Sequence, residues 1–163
     1  MNTLNDVLAK VEEALNKLYE KDQYLIHSGG NNYVSERSIT FNLGHYLNNI
    51  FKETHEFKYS IDCEFNRDID EVKKMGKHDI IPDIIIHERG SNKDNLVAIE
   101  VKTWWNNKNE ERKRDEDKLS YLTDSCHQYR YKYGLSLIIN KNREDTEVKI
   151  FIDGKTDDIY HKI

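Results

Sequence analysis

The first fifty residues carry apolar side chains at helical spacing. Leu4, Val7, Leu8, Val11, Leu15 and Leu18 recur at intervals of three and four, which predicts a helix over about residues 4–20. Thr3 with Asp6 forms a capping-box-like start to it. Ser28-Gly29-Gly30-Asn31-Asn32 predicts a turn. A second stripe, Ile39, Leu43, Leu47, Ile50 and Phe51, predicts a helix over about 35–52, with Ser35 as its cap. Gly44 inside this helix costs about 1 kcal/mol relative to alanine, so close packing is expected there.

The period then falls to two. Phe57, Tyr59, Ile61, Cys63 and Phe65 alternate with polar residues, as on a half-buried strand. Residues 66–79 are polar, mostly charged, and read as a loop. Ile80 to Ile86 reads as a second strand, with Pro82 near its start, where a strand tolerates proline. Gly90 to Asn95 reads as a hairpin loop, and Leu96 to Lys102 as the third strand. A mixed-charge run from Asn109 to Lys118 opens a helix ending near Asp124, followed by strands at Leu135–Ile139 and Glu147–Ile152. Residues 153–163 carry no assignable pattern. The order α-α-β-β-β-α-β-β predicts one α/β domain over 1–163, a mixed central sheet flanked by helices.

Composition narrows the classes. The 163 residues hold 25 Lys and Arg against 30 Asp and Glu, a net charge of −5, which excludes a polybasic coat for nucleic acid or anionic membrane but not a local basic groove. No apolar run approaches the roughly 20 residues of a membrane span, and the start MNTLNDVLAK lacks a signal peptide's regions. Cys63 and Cys126 stand far apart without metal-type spacing, as reduced thiols of a cytoplasmic protein would. Disulfide scaffolds, zinc fingers and membrane proteins are disfavoured. Neither a phosphate-binding glycine loop nor a nucleophile elbow occurs.

The informative stretch is IIPDIIIHERGSNKDNLVAIEVK. Asp83 is an acid at the start of a strand that is otherwise nearly all Ile, and Glu100 and Lys102 are charges on an otherwise apolar strand. Such groups are costly unless paired, hydrated or bound to metal. A hairpin loop centred between Ser91 and Asn92 sets Asp83 directly across from Glu100, which brings their Cβ atoms to about 5 Å. Lys102, two residues on, points to the same face. Two such carboxylates repel unless one protonates or a cation lies between them, and oxygen ligands with open positions suit Mg²⁺ or Mn²⁺. With an adjacent ammonium to orient water or offset developing charge, these are the parts of metal-assisted phosphodiester hydrolysis. The plainer reading is a salt bridge at a sheet end. The agreement of register, apolar flanks and lysine offset favours the first.

Pro82-Asp83, sixteen intervening residues and Glu100-Val101-Lys102 resemble the motif of the PD-(D/E)XK nuclease superfamily, and the order of elements over about 33–140 is similar to its restriction-endonuclease-like core. The helix at 4–20 and the tail lie outside the resemblance. It implies that Asp83 and Glu100 ligate a catalytic Mg²⁺ or Mn²⁺, that the Val101 carbonyl adds a ligand, and that Lys102 assists the attacking water. Glu36 matches the acid that many members carry on the helix before the sheet. It continues the inward stripe of Ile39, Thr40 and Leu43, though a first-turn glutamate can simply complement the helix dipole.

Further signals are weaker. Asp115, Lys118, Leu119 and Leu122 share a helix face, so Lys118 can reach a phosphate, although a solvated i,i+3 pair is the plainer reading. Trp104-Trp105 can stack on bases or cover the sheet end, and the latter is favoured for at least one. Tyr129-Arg130-Tyr131-Lys132-Tyr133 offers Arg130 and Lys132 to a nucleic-acid strand, or is a strand with half-buried tyrosines.

The leading expectation is a metal-dependent nuclease acting on DNA, with DNA preferred over RNA only through the resemblance. The alternative is a catalytically silent nuclease-fold module that binds nucleic acid or a protein partner. The acidic balance requires basic residues gathered on one face, a second copy of the chain, or a partner protein that directs it to its target.

Overall fold

The computed structural model describes residues 2–27 and 33–163; the turn expected at 28–32 lies outside them. Helix α1 (Leu4–Lys21) starts at the Thr3 capping box, Thr3 Oγ1 accepting from the Asp6 amide at 3.2 Å and the Asp6 carboxylate from the Thr3 amide at 3.0 Å. A short α2 (Gln23–His27) follows, and then α3 (Glu36–Glu53), capped by Ser35. Next come β1 (Ser60–Cys63), two small hairpins formed by β2 (Arg67–Asp68) with β3 (Glu71–Val72) and β4 (Lys74–Met75) with β5 (His78–Asp79), then β6 (Ile84–His87) and β7 (Asn95–Thr103). Helix α4 (Asn109–Thr123), β8 (Tyr133–Ile139), β9 (Glu147–Phe151) and β10 (His161–Lys162) complete the chain.

The fold is mixed α/β around a six-stranded mixed sheet of order β1-β6-β7-β8-β9-β10. All neighbours are antiparallel except β7 and β8. A parallel pair needs a long crossover, and α4 supplies it. Alternation along β7 divides the core. Val97, Ile99 and Val101 join the α1 and α3 stripes on one face, while Ala98 joins Ile85, Leu119, Leu122, Tyr129 and Tyr131 on the other. Leu15, Leu18, Ile39, Leu43 and Leu47 are fully buried, each contributing roughly 2 kcal/mol. The close approach expected at Gly44 is present: a Cβ there would stand 2.6 Å from Cys63 Sγ. Both cysteines are free thiols. No helix among the described residues is long and apolar enough to cross a membrane.

Several elements differ from their sequence expectation. The first strand is only Ser60–Cys63, because 57–58 turn and leave Phe57 70% exposed. Residues 66–79 fold as hairpins rather than a loop; their strands are two residues long and show no alternation to read. Residues 80–83 precede the strand instead of belonging to it, and the unassigned tail returns as β10 against β9. The tyrosines at 129, 131 and 133 do alternate inward, but they are buried outright and only Tyr133 is on a strand.

Candidate functional site

The β6–β7 hairpin sets the geometry. Ile84 pairs with Ile99, Ile85 with Ala98 and Ile86 with Val97, and the register slips only at His87, which pairs with Asn95. Continued one step outward, this register places Asp83 beside Glu100, as the sequence predicts. Asp83 leaves the ladder, and its Oδ2 accepts the Val101 amide proton at 2.7 Å, so the carboxylate serves in place of a main-chain carbonyl. Glu100 is 2% exposed. Its Oε2 accepts from Lys118 Nζ at 2.8 Å, while its Oε1 is buried with no hydrogen-bond partner.

Lys102 projects from the same face of β7. Its ammonium lies 3.2 Å from Glu36 Oε1 and 3.1 Å from Asp115 Oδ2. Glu36, at the first turn of α3, is itself held: Oε2 accepts from the Thr103 amide at 3.0 Å and from Thr103 Oγ1 at 3.2 Å, and Asn106 Nδ2 stands 3.5 Å away. Glu36 therefore faces the sheet end, rather than merely complementing its helix dipole. Asp115, on α4, also reaches Lys118 with Oδ1 at 3.4 Å and so links the two ammoniums. Four carboxylates, from Glu36, Asp83, Glu100 and Asp115, thus surround two ammoniums.

The electrostatics follow this imbalance. Burial, and then the charge of Asp83, push Glu100 well above the usual carboxylate range, against the opposing pull of Lys118. Burial also raises Asp83, although the Val101 amide, Lys118 and Lys102 all act to lower it. Burial pulls Lys102 down, but Asp115 and Glu36 more than offset this and hold it above the ordinary lysine value. Lys118 behaves alike, raised by Glu100 and Asp115 against its own desolvation.

Among the described residues no group of three or more His, Cys, Asp and Glu side chains is close enough to hold an ion unaided. Two neighbouring acids, one with an unpartnered buried oxygen, do suit Mg²⁺ or Mn²⁺, because Mg²⁺ commonly binds through one or two carboxylates and keeps several waters. The donor set fits a hard cation completed by solvent or substrate oxygen.

The expected nucleic-acid contacts divide. Lys118 belongs to the cluster. Trp104 is partly buried at the sheet end: its Nε1 donates to the Ile26 carbonyl at 3.5 Å, and its ring meets Tyr33 and Trp105 edge-on, at centroid distances of 5.0 and 5.4 Å. Arg130 and Lys132 are not near the cluster. The Lys132 amide donates to the carbonyl of Asn95, where β7 begins, about 20 Å along the strand from Lys102. The buried tyrosines between them offer no stacking platform, and the Lys132 ammonium donates to the Asn2 carbonyl at 2.8 Å.

Thr103 is the residue that sequence reasoning did not place in the site, and Asp115 was expected only to share with Lys118 a helix face that can lean toward it. The stripe of 115, 118, 119 and 122 carried the signal for Asp115, and a β-branched hydroxyl directly after Lys102 carried the one for Thr103. Comparison with family models, curated proteins and solved structures finds no match to this chain.

Proposed function

We propose that the chain is a metal-dependent phosphodiester hydrolase with a restriction-endonuclease-like core, acting on DNA. The observation that carries this reading is the buried, unpartnered Oε1 of Glu100 beside the Asp83 carboxylate, with Lys102 two residues further along the strand. A buried carboxyl oxygen without a partner is expensive, and a site that binds a cation gives it a purpose.

Asp83 and Glu100 would hold the ion, with the Val101 carbonyl as the further ligand that the resemblance implies. The bound Mg²⁺ or Mn²⁺ would supply a more acidic water and shield the phosphate's charge. Lys102 stays protonated in its carboxylate cage, so it cannot take a proton at neutral pH; it donates a hydrogen bond to the incoming water or to a phosphate oxygen. Glu36 and Asp115 position that ammonium, and Thr103 positions Glu36. The water oxygen would bond to phosphorus as the opposite P–O bond breaks, its proton passing to bulk solvent, from which the leaving alkoxide takes one up.

A second reading, a silent module of the same fold, is favoured by the fact that both ammoniums are already engaged with carboxylates. The test incubates purified protein with plasmid, linear and branched DNA, and with RNA, in Mg²⁺, Mn²⁺ or chelator. Asp83→Asn keeps an acceptor for the Val101 amide and so isolates the charge. Metal-dependent cleavage that disappears in Asp83→Asn and Lys102→Ala is the expected outcome. Absence of cleavage on every substrate, with no heat of metal binding, would leave the silent module.

A further inference from the structure

The ammonium of Lys118 sits in a nest of oxygens. Glu100 Oε2 lies at 2.8 Å, the Ile81 main-chain carbonyl at 3.3 Å and Asp115 Oδ1 at 3.4 Å. Three oxygens, from β7, α4 and the segment before β6, two of them carboxylate, converge on one positive charge. The unpartnered Glu100 Oε1 adjoins this nest, so the acid holding the ammonium still has a buried oxygen without a donor. A single ammonium leaves this acid-rich ground under-neutralised.

We propose that Lys118 is a tethered cation that occupies the divalent-ion position and gives way when the ion binds. The inference rests on the metal-dependent reading above and adds an autoinhibitory contact to it. An ammonium donates to oxygens about 2.8 Å away, whereas Mg²⁺ draws them in to about 2.1 Å. The two carboxylate side chains can make that adjustment by rotating toward the ion. A divalent charge also offsets both Glu100 and Asp83, which one ammonium cannot. Lys118 is partly exposed, with 18% of its side chain accessible, so its long stem can carry the released ammonium to the solvent edge. There it would meet a substrate phosphate. Asp115 changes from a partner of Lys118 to a ligand or near neighbour of the ion, while keeping its contact with Lys102.

The experiment is a calorimetric titration of Mn²⁺ into wild type and Lys118→Met, a variant that keeps the stem and removes the charge. If the lysine competes with the ion, the variant binds Mn²⁺ about tenfold or more tightly, and its metal-free melting temperature falls below wild type by a margin that saturating Mn²⁺ closes. If wild type binds Mn²⁺ and Lys118→Met binds it equally or less well, the exchange is wrong and the metal-dependent reading survives. If neither protein binds Mn²⁺, both fall. A measurement on wild type alone covers a variant that does not fold. Amine acetylation read by mass spectrometry should label Lys118 several-fold faster with saturating Mg²⁺, and Lys102 no faster. Unchanged Lys118 labelling in metal-loaded protein would overturn the proposal.

Discussion

Two clusters of buried charge share one face of the sheet and treat their acids in opposite ways. At one end, Asp62 on β1 lies across from Ile85 and accepts from His87 Nε2 and Arg89 Nε, each at 2.8 Å, with Arg89 Nη2 on its other oxygen. Burial alone would raise Asp62, yet Arg89 and His87 outweigh it and the carboxyl is held below its ordinary value. At the other end, burial acts on Asp83 and Glu100 and wins. Desolvation is common to both places; what differs is the supply of positive charge. Around Asp62 the cations and donors outnumber the acid. Around Glu100 four carboxylates share two ammoniums, and the buried Glu100 Oε1 is left with neither a hydrogen bond nor a cation contact. The polar atoms without partners near the first cluster, Tyr131 Oη and Asn95 Oδ1, are neutral and cost less. A saturated cluster is what stability alone would select. A deficit of positive charge marks the place where a cation from outside would have work to do.

Removing a cation from each cluster tests this contrast most severely. Lys102→Ala is expected to lower metal-dependent cleavage by about a thousandfold, the scale of losing one oriented donor at the reacting phosphate. Arg89→Ala, which strips the saturated cluster, should leave the rate within about twofold. Equal losses in the two variants would mean that the site end has no special chemistry.

The acids sharpen the comparison through stability. Asp62→Asn weakens the acceptor of buried His87 and removes the counter-charge of exposed Arg89, and should cost about 1 kcal/mol in urea denaturation. Glu100→Gln removes a charge from an over-acidic patch, so the metal-free protein should lose nothing and gain up to about 1 kcal/mol, while Mn²⁺ binding vanishes from the calorimeter. A Glu100→Gln variant as damaged as Asp62→Asn would show Glu100 to be a satisfied structural partner.

Sequence made one end of this comparison readable and hid the other. The register of Asp83 against Glu100 was legible because a short loop joins two strongly apolar strands, and a slip of one residue would turn their Ile and Val side chains away from the core. Glu36 was legible as an acid on an inward stripe. Asp115 was harder, since ERKRDEDK offers a carboxylate on every face and only the docking of α4 against β7 selects one. The saturated cluster gave almost no signal. His87 stands at the slipped end of the hairpin, Asp62 on a strand of four residues, and Lys73 between hairpins whose strands are two residues long. Their meeting depends on long-range packing, which periodicity cannot express.

Lys73 allows the cleanest test. It is 2% exposed, lies under the rings of Phe65 and Tyr129 at 4.9 and 6.0 Å, and donates to the Arg67 carbonyl. Burial lowers it to about 8, against the raising influence of Asp68 and Asp62. Between that value and the unfolded value near 10.5, the unfolded chain binds the extra proton, so stability rises with pH. From pH 8 to 9.5 the Lys73 contribution should reach about 1.5 kcal/mol, read as the difference between wild type and a variant without the amine, because the raised Cys63 thiol and the raised tyrosines Tyr19 and Tyr131 act in the opposite sense as pH climbs. Lys73→Met should remove this rising component and bring neutral-pH stability to or above that of wild type, since a buried ammonium no longer has to be kept from water. Urea midpoints measured across this window decide the matter. A wild-type curve parallel to the variant's would mean that the carbonyl and ring contacts already solvate Lys73 fully, and that the hairpin cap is as tightly neutralised as Asp62.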